Sequence, residues 1–268
     1  MRHAQTAPTR NPTYGLLPSG RLHARSRSFC ADQRRRRNCP DPGDASDARR
    51  FRPGRFECRG TASRNHESIR AVALTGAVYE SGPDPYCYPG SSVLINRLDI
   101  RDQAELDAYE TLITAQRGEE VLPNGRLGYA HYRAIHRHLF QDVFSWAGKL
   151  RTVRIAKGGS MFCYPEHIDA EMRKLFEQLS ADRFLHGMTA DKFARRAAHL
   201  LAELNAIHPF REGNGRTQLT YLTLLAARAG HPLALERMDP AAMLAAMVAS
   251  FKSDETPLAA LIGGLIER

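Results

Sequence analysis

His208-Pro209-Phe210-Arg211-Glu212-Gly213-Asn214-Gly215-Arg216 is the stretch that decides the reading of this 268-residue chain. It lies between two segments of helical period. Upstream, Phe193, Ala197, Leu200, Leu201, Leu204 and Ile207 recur at helical spacing, with Arg195, Arg196 and Glu203 between them. Downstream, Leu219, Leu222, Leu225 and Ala226 repeat the period until Gly230, a helix stop followed by Pro232. The nine residues are therefore the loop of a helix–loop–helix junction whose second helix starts near Gly215. The first N–H groups of that helix lack intrahelical acceptors, and with the helix dipole they favour an anion.

Each loop residue has a chemical use. Gly213 and Gly215 allow positive φ and close approach to a ligand, and Asn214 is the non-glycine residue that best tolerates such geometry. Consecutive N–H groups in that conformation form a nest for phosphate. Glu212 is a hard oxygen ligand of the kind Mg²⁺ uses when substrate phosphates complete its shell. Arg216 can fork onto a phosphate. His208, with a reference pKa of about 6.5, is largely neutral at pH 7 and can accept a proton. Phe210 is the plug that holds the loop to the core. Gly-Asn-Gly alone reads as a turn closing an αα-hairpin. The His, the acid and the Arg at fixed offsets are what point to chemistry.

The stretch resembles the signature of the Fic (filamentation induced by cAMP) family, His-x-Phe-x-Asp/Glu-Gly-Asn-Gly-Arg followed by x-x-Arg. Residues 130–164, AHYRAIHRHLFQDVFSWAGKLRTVRIAKGGSMFCY, resemble the family's helix, Trp-Ala-Gly turn and flap hairpin in the same order. The resemblance covers about residues 92–262. It implies an all-α, Fic-type helical bundle with one β-hairpin flap over the active-site loop, and transfer of AMP from ATP to a Tyr, Ser or Thr hydroxyl of a target protein. In that scheme His208 is the general base and Glu212 holds Mg²⁺ through the nucleotide phosphates. Gly213, Asn214, Gly215 and Arg216 bind the nucleotide, Lys157 and Gly158 border it, and Phe210 is structural. The target docks on the flap at 151–163. Removal of AMP and phosphotransfer are alternatives on the same fold, although relatives of the phosphotransfer kind carry Lys where Gly215 stands.

One position departs from the signature: Leu219 stands where its second Arg belongs, one turn past Arg216. The resemblance assigns that Arg to the γ-phosphate, and in silenced relatives to an inhibitory Glu. Leucine can do neither. This leaves a slow or ADP-tolerant enzyme, or a degenerate copy. The nearest match to the family's inhibitory Ser/Thr-x-x-x-Glu-Gly/Asn motif, Ser63 to Ser68, lacks its final residue. No intrachain inhibition is expected, and a separate inhibitory antitoxin would have to supply it.

The flap can also be read directly. Thr152, Val153, Arg154 and Ile155 alternate, and Lys157-Gly158-Gly159-Ser160 supplies a turn before Met161-Phe162-Cys163. Such a hairpin is marginal alone and must pack on helices or pair with an extended segment. The rest is helical. Asp102 and Glu105 form a capping box opening a helix toward Arg117, Ala130–Phe140 buries Ile135, Leu139 and Phe140, and Pro165 opens a segment with Ile168, Met172, Leu175 and Leu179. Asp239-Pro240 opens a helix carrying Met243 and Met247 as core filler, and Pro257 begins the last.

Charge divides the chain. Residues 1–70 hold sixteen Arg, no Lys and six acids, a formal +10, so residues 71–268 carry −1 of the total +9. With only Leu16, Leu17, Leu22 and Ile69 as aliphatic residues, 1–70 reads as a disordered segment or a spurious extension. Residues 71–91 read as a linker and 92–268 as the Fic domain. A basic tail binding nucleic acid is the different-class alternative, but no recognition motif accompanies it, and the near-neutral core is not expected to bind nucleic acid. No apolar stretch is long enough to span a membrane and no signal-peptide core is seen, so no membrane partner and a cytoplasmic location are expected, with delivery as an effector left open. Five cysteines without metal-ligand spacing fit a reducing compartment. His131, His136 and His138 lack a completing Cys or carboxylate and read as solvated or capping residues.

Overall fold

The apolar stripe ending at Ile207 becomes the axis of the fold. The computed structural model describes residues 84–157 and 160–267; the Arg-rich segment, the Ser63–Ser68 match and most of the 71–91 stretch lie outside the described residues. Among the described residues there are seven α-helices: α1 Gln103–Glu119, α2 Tyr129–Phe140, α3 Pro165–Ala181, α4 Ala190–Ile207, α5 Asn214–Ala229, α6 Pro240–Phe251 and α7 Thr256–Leu265. The fold is helical, as expected.

Helix α4 starts where Thr189 accepts the Lys192 N–H, and it buries Phe193, Ala197, Leu200, Leu201, Leu204 and Ile207. It packs against α3, α5, α6 and α7. Burial of each large side chain on this stripe contributes about 1.5–3 kcal/mol, which makes α4 the organiser of the bundle. The small residues Ala194, Ala197 and Ala198 on the same face are also buried, and Gly263 of α7 lies against Ala194. Helix α5 follows after a six-residue turn and stops at Gly230, which takes φ 87°. Asp102 caps α1 by accepting the Glu105 N–H at 2.9 Å, and Asp239 caps α6 through the Ala241 N–H.

Two results were not anticipated. Within the stretch assigned to a linker, Cys87 and Tyr88 are buried and Cys87 pairs with Leu94 in an isolated bridge. The hairpin is shorter than the alternation suggested, with β1 Ala156–Lys157 antiparallel to β2 Ser160–Met161 in the register Ala156↔Met161 and Lys157↔Ser160. Gly158 and the Lys157 side chain lie outside the described residues.

Candidate active site

The chain leaves α4 at His208, the helix C-cap, in a left-handed conformation (φ 48°, ψ 64°) with its N–H on the Leu204 carbonyl at 2.9 Å. Two residues on, Phe210 is fully buried, its ring 3.7 Å from that of His136 and 5.7 Å from that of Tyr132. Asn214 closes the loop: its Oδ1 accepts the Phe210 N–H at 3.0 Å and its Nδ2 donates to the Phe210 carbonyl at 2.8 Å. The Asn214 side chain is thereby committed to the loop itself, and only its backbone N–H faces the helix start.

The left-handed positions differ from the sequence expectation. Gly213 takes φ 80°, and a Cβ there would lie 2.3 Å from the Phe140 ring. Asn214 and Gly215, however, already lie in the first turn of α5, and the second left-handed residue is His208. The start of α5 has no side-chain cap, so its amides are available to an anion. Glu212 stands beside them, with Oε1 accepting the Gly213 N–H at 2.9 Å. Among the described residues no three His, Cys, Asp or Glu side chains converge as a metal site. One carboxylate next to an uncapped helix start suits a cation that takes its other ligands from phosphates and water.

The underside of the loop is set by residues that sequence reasoning did not assign. His136 of α2 accepts the Gly148 N–H on Nδ1 at 2.8 Å, so Nε2 carries the proton and donates to the Glu212 carbonyl at 3.0 Å. Burial pushes its pKa down to about 3, against the pull of that carbonyl, so the ring stays neutral. His131 and His138 also bond backbone groups, at Leu127 and Pro123 and at Arg117 respectively. His131 and His138 thus take the capping role of the two that were expected, and His136 is fully enclosed.

Arg216 was expected to fork onto a phosphate. The structure turns it inward: Nη2 pairs with Glu110 of α1 and Nη1 donates to Thr114 Oγ1 at 3.0 Å, with only 6% of the arginine side chain exposed. Burial pushes the Glu110 carboxyl above its usual range and the charge of nearby Glu212 adds to this, while Arg216 pulls it back. Arg211 is likewise buried, with Nη2 on Asp84 at 2.8 Å. The sequence signal for these pairs is thin, namely acidic residues at positions 84 and 110 with no local partner. Leu219, the departure from the signature, is 3% exposed and part of the apolar core.

The outer wall is the segment after β2. The Phe162 ring stacks on His208 at 3.9 Å and 16°, and the Cys163 N–H bonds the Ala206 carbonyl at 3.1 Å. Arg151, a further residue the sequence reading passed over, is 2% exposed and lies between this segment and the loop.

The family model described as Fic/DOC matches residues 126–226. "Probable protein adenylyltransferase y4lH" of Sinorhizobium fredii is 51% identical over 189 residues, covering 70% of this chain and 98% of the relative. "Probable protein adenylyltransferase Fic" of Escherichia coli is 38% identical, covering 67% of this chain and 90% of the relative. Among solved structures, the ADP-bound N-terminal Fic domain of a Bep effector protein from Bartonella quintana superposes with a TM-score of 0.61 at 27% identity, over 68% of this chain and 94% of that domain.

Proposed function

The chain belongs to the Fic/DOC family, and we propose that it moves AMP from ATP to a hydroxyl of a protein target, with His208 as the general base. It is a nucleotidyltransferase of the protein adenylyltransferase kind, a reading supported by relatives of that name up to 51% identical and by the ADP-bound structure of a related domain.

The observation that carries the proposal is the meeting of three features in one loop. A histidine, a carboxylate and an uncapped helix start occur within seven residues, held by His136 from below and faced by Phe162 from outside. In the proposed reaction the target hydroxyl gives its proton to His208 as its oxygen bonds the α-phosphorus, and the bond to the β-phosphate bridging oxygen breaks to release pyrophosphate. The amides of Asn214 and Gly215 receive charge on the phosphoryl oxygens, and Gly213 leaves room for that approach. Glu212 would hold Mg²⁺, which when bound neutralises phosphate charge. Lys157 and Gly158 are assigned to the border of the nucleotide. Arg216 supplies positive potential at the helix start while its fork stays on Glu110 and Thr114. The target is assigned to the edge of the hairpin within 151–163, by strand addition.

Regulation and location belong to the same reading. The Ser63–Ser68 match lacks the final residue of the inhibitory motif, and control is assigned in this reading to a separate antitoxin. Among the described residues no helix is long and apolar enough to cross a membrane, and a cytoplasmic location is part of this proposal.

The deciding experiment incubates the protein with ATP labelled at the α- or the γ-phosphate in a host lysate. Label should pass to protein from the α position alone; γ-label would instead mean phosphotransfer. A second measurement concerns Leu219. With no cation at that place, ATP and ADP should bind within about tenfold of each other, since a charge-assisted hydrogen bond to the γ-phosphate would add some 1.5–3 kcal/mol. A hundredfold preference for ATP would show that another group reads the γ-phosphate.

A further inference from the structure

Arg151 is the most buried long cation of the described residues, 2% exposed, and its guanidinium is directed at main-chain carbonyls. Nε donates to His208 O at 2.7 Å, Nη1 to Val153 O at 2.6 Å, and Nη2 to Cys163 O at 2.5 Å and Ile207 O at 3.2 Å. Its own N–H bonds the Pro209 carbonyl at 2.9 Å.

The positions of those acceptors are the point. Ile207 and His208 are the last residue and the C-cap of α4, where carbonyls lack helical partners and the dipole is negative, so a cation is favoured there. Val153 precedes β1 and Cys163 follows β2, so they are the two feet of the hairpin. One planar fork therefore ties the base-bearing helix end to both feet. Just above the tie, Phe162 lies on the His208 ring at 3.9 Å.

We infer that Arg151 is a positioning residue for transfer: it fixes the His208 ring relative to the hairpin on which the acceptor hydroxyl is presented. This rests on the reading of His208 as base and of the hairpin as the docking edge. The guanidinium of Arg151 donates to main-chain carbonyls of the loop and the hairpin. It acts by holding the distance and angle between a proton acceptor on one element and a hydroxyl on another. Misplacement of about 1 Å at such a junction costs on the order of a hundredfold in rate. Lysine cannot replace it, because a compact ammonium with three donors cannot span four carbonyls in one plane.

The test compares full-length wild type with Arg151→Lys and Arg151→Gln in three measurements. These are kcat for AMP transfer, nucleotide affinity, and the ring-proton NMR signals of His208, assigned by their loss in His208→Ala. Arg151→Lys keeps a cation at the helix end. In both variants kcat should fall about ten- to a hundredfold with nucleotide affinity within about twofold, since the phosphate site is built on α5. The His208 ring protons should lose the upfield shift that the stacked Phe162 ring imposes. Wild-type kcat in Arg151→Lys, an unmoved His208 spectrum, or a collapse of the thermal melt with affinity and kcat lost together would each overturn the inference. The NMR arm separates the two levels: if the wild type transfers no AMP, the functional reading fails, while the His208 shift still reports whether Arg151 sets the ring.

Discussion

The loop from His208 to Arg216 and the hairpin from Ala156 to Met161 meet at the stacked rings of His208 and Phe162, yet they are held in opposite ways. The loop is fixed by Asn214 at its own end and by side chains from distant elements. His136 bonds Glu212, Asn214 bonds Phe210, Glu110 pairs with Arg216 and Asp84 pairs with Arg211. The hairpin has two residue pairs of its own ladder and depends on Arg151 beneath its feet. Groups that must meet a transition state need a fixed geometry before substrate arrives. A surface that must accept an extended partner needs an unfilled edge, and a two-residue ladder leaves one. Under the proposed function, the contrast in support matches the contrast in task.

The largest effect that would break this comparison is at His208, the proposed base. His208→Ala should lower α-phosphate transfer by about 10²–10⁴-fold while leaving nucleotide affinity nearly unchanged, because the phosphate site is backbone. Undiminished turnover would remove His208 from the chemistry and, with it, the reason for a rigid loop.

Next in size is the buried pair behind the loop. Glu110→Ala leaves the Arg216 guanidinium enclosed without its carboxylate, and denaturant unfolding should show a loss of about 3–5 kcal/mol. The exposed pair Arg195–Asp191 on α4 offers the control, since Asp191→Ala should cost no more than about 1 kcal/mol. Equal losses at the two sites would mean that the loop is no better anchored than the surface.

Gly213 comes third. Alanine there places a methyl 2.3 Å from the Phe140 ring in a left-handed conformation. The expected cost is about 1–3 kcal/mol of overpacking plus about 1–2 kcal/mol of backbone strain, read as a lower Tm. A Tm equal to wild type would show that the loop yields easily.

The smallest effect is a pH dependence. His136 has a folded pKa near 3 against an unfolded value of about 6.5. Above pH 6.5 both states are neutral and nothing is lost. As pH falls from about 6.5 toward 3 the unfolded chain takes up the proton first, so stability drops by up to about 1.4 kcal/mol per pH unit. Between pH 6.5 and pH 5 this amounts to about 2 kcal/mol of destabilisation. The slope should flatten in His136→Gln, and parallel slopes in the two proteins would show that His136 is not held neutral.

Several features were legible in sequence because their causes are local. The apolar period of α4 and α5, the Asp102 and Asp239 caps, the prolines opening α3 and α6 and the stop at Gly230 each depend on residues within one or two turns. The nine-residue signature likewise lies in one stretch, so its chemistry could be proposed without a fold. The conformation inside the loop was less legible: Gly213 was anticipated as left-handed, but His208 was not, since a non-glycine residue gives no local sign of that conformation.

What only the tertiary structure decided is which distant partner each buried arginine takes. Arg216 finds Glu110 across 106 residues, Arg211 finds Asp84 across 127, and Arg151 reaches His208 across 57. No periodicity links such positions. Chain sequence fixes the local dihedral preferences, whereas these pairings follow from which helix faces are brought together when apolar stripes are buried. A buried guanidinium then takes whichever carboxylate or carbonyls that packing supplies, because leaving it unpaired would cost several kcal/mol. The sequence therefore determined the helices and the chemical inventory of the loop, and the packing determined that Arg216 faces inward and that Arg151 joins the hairpin to His208.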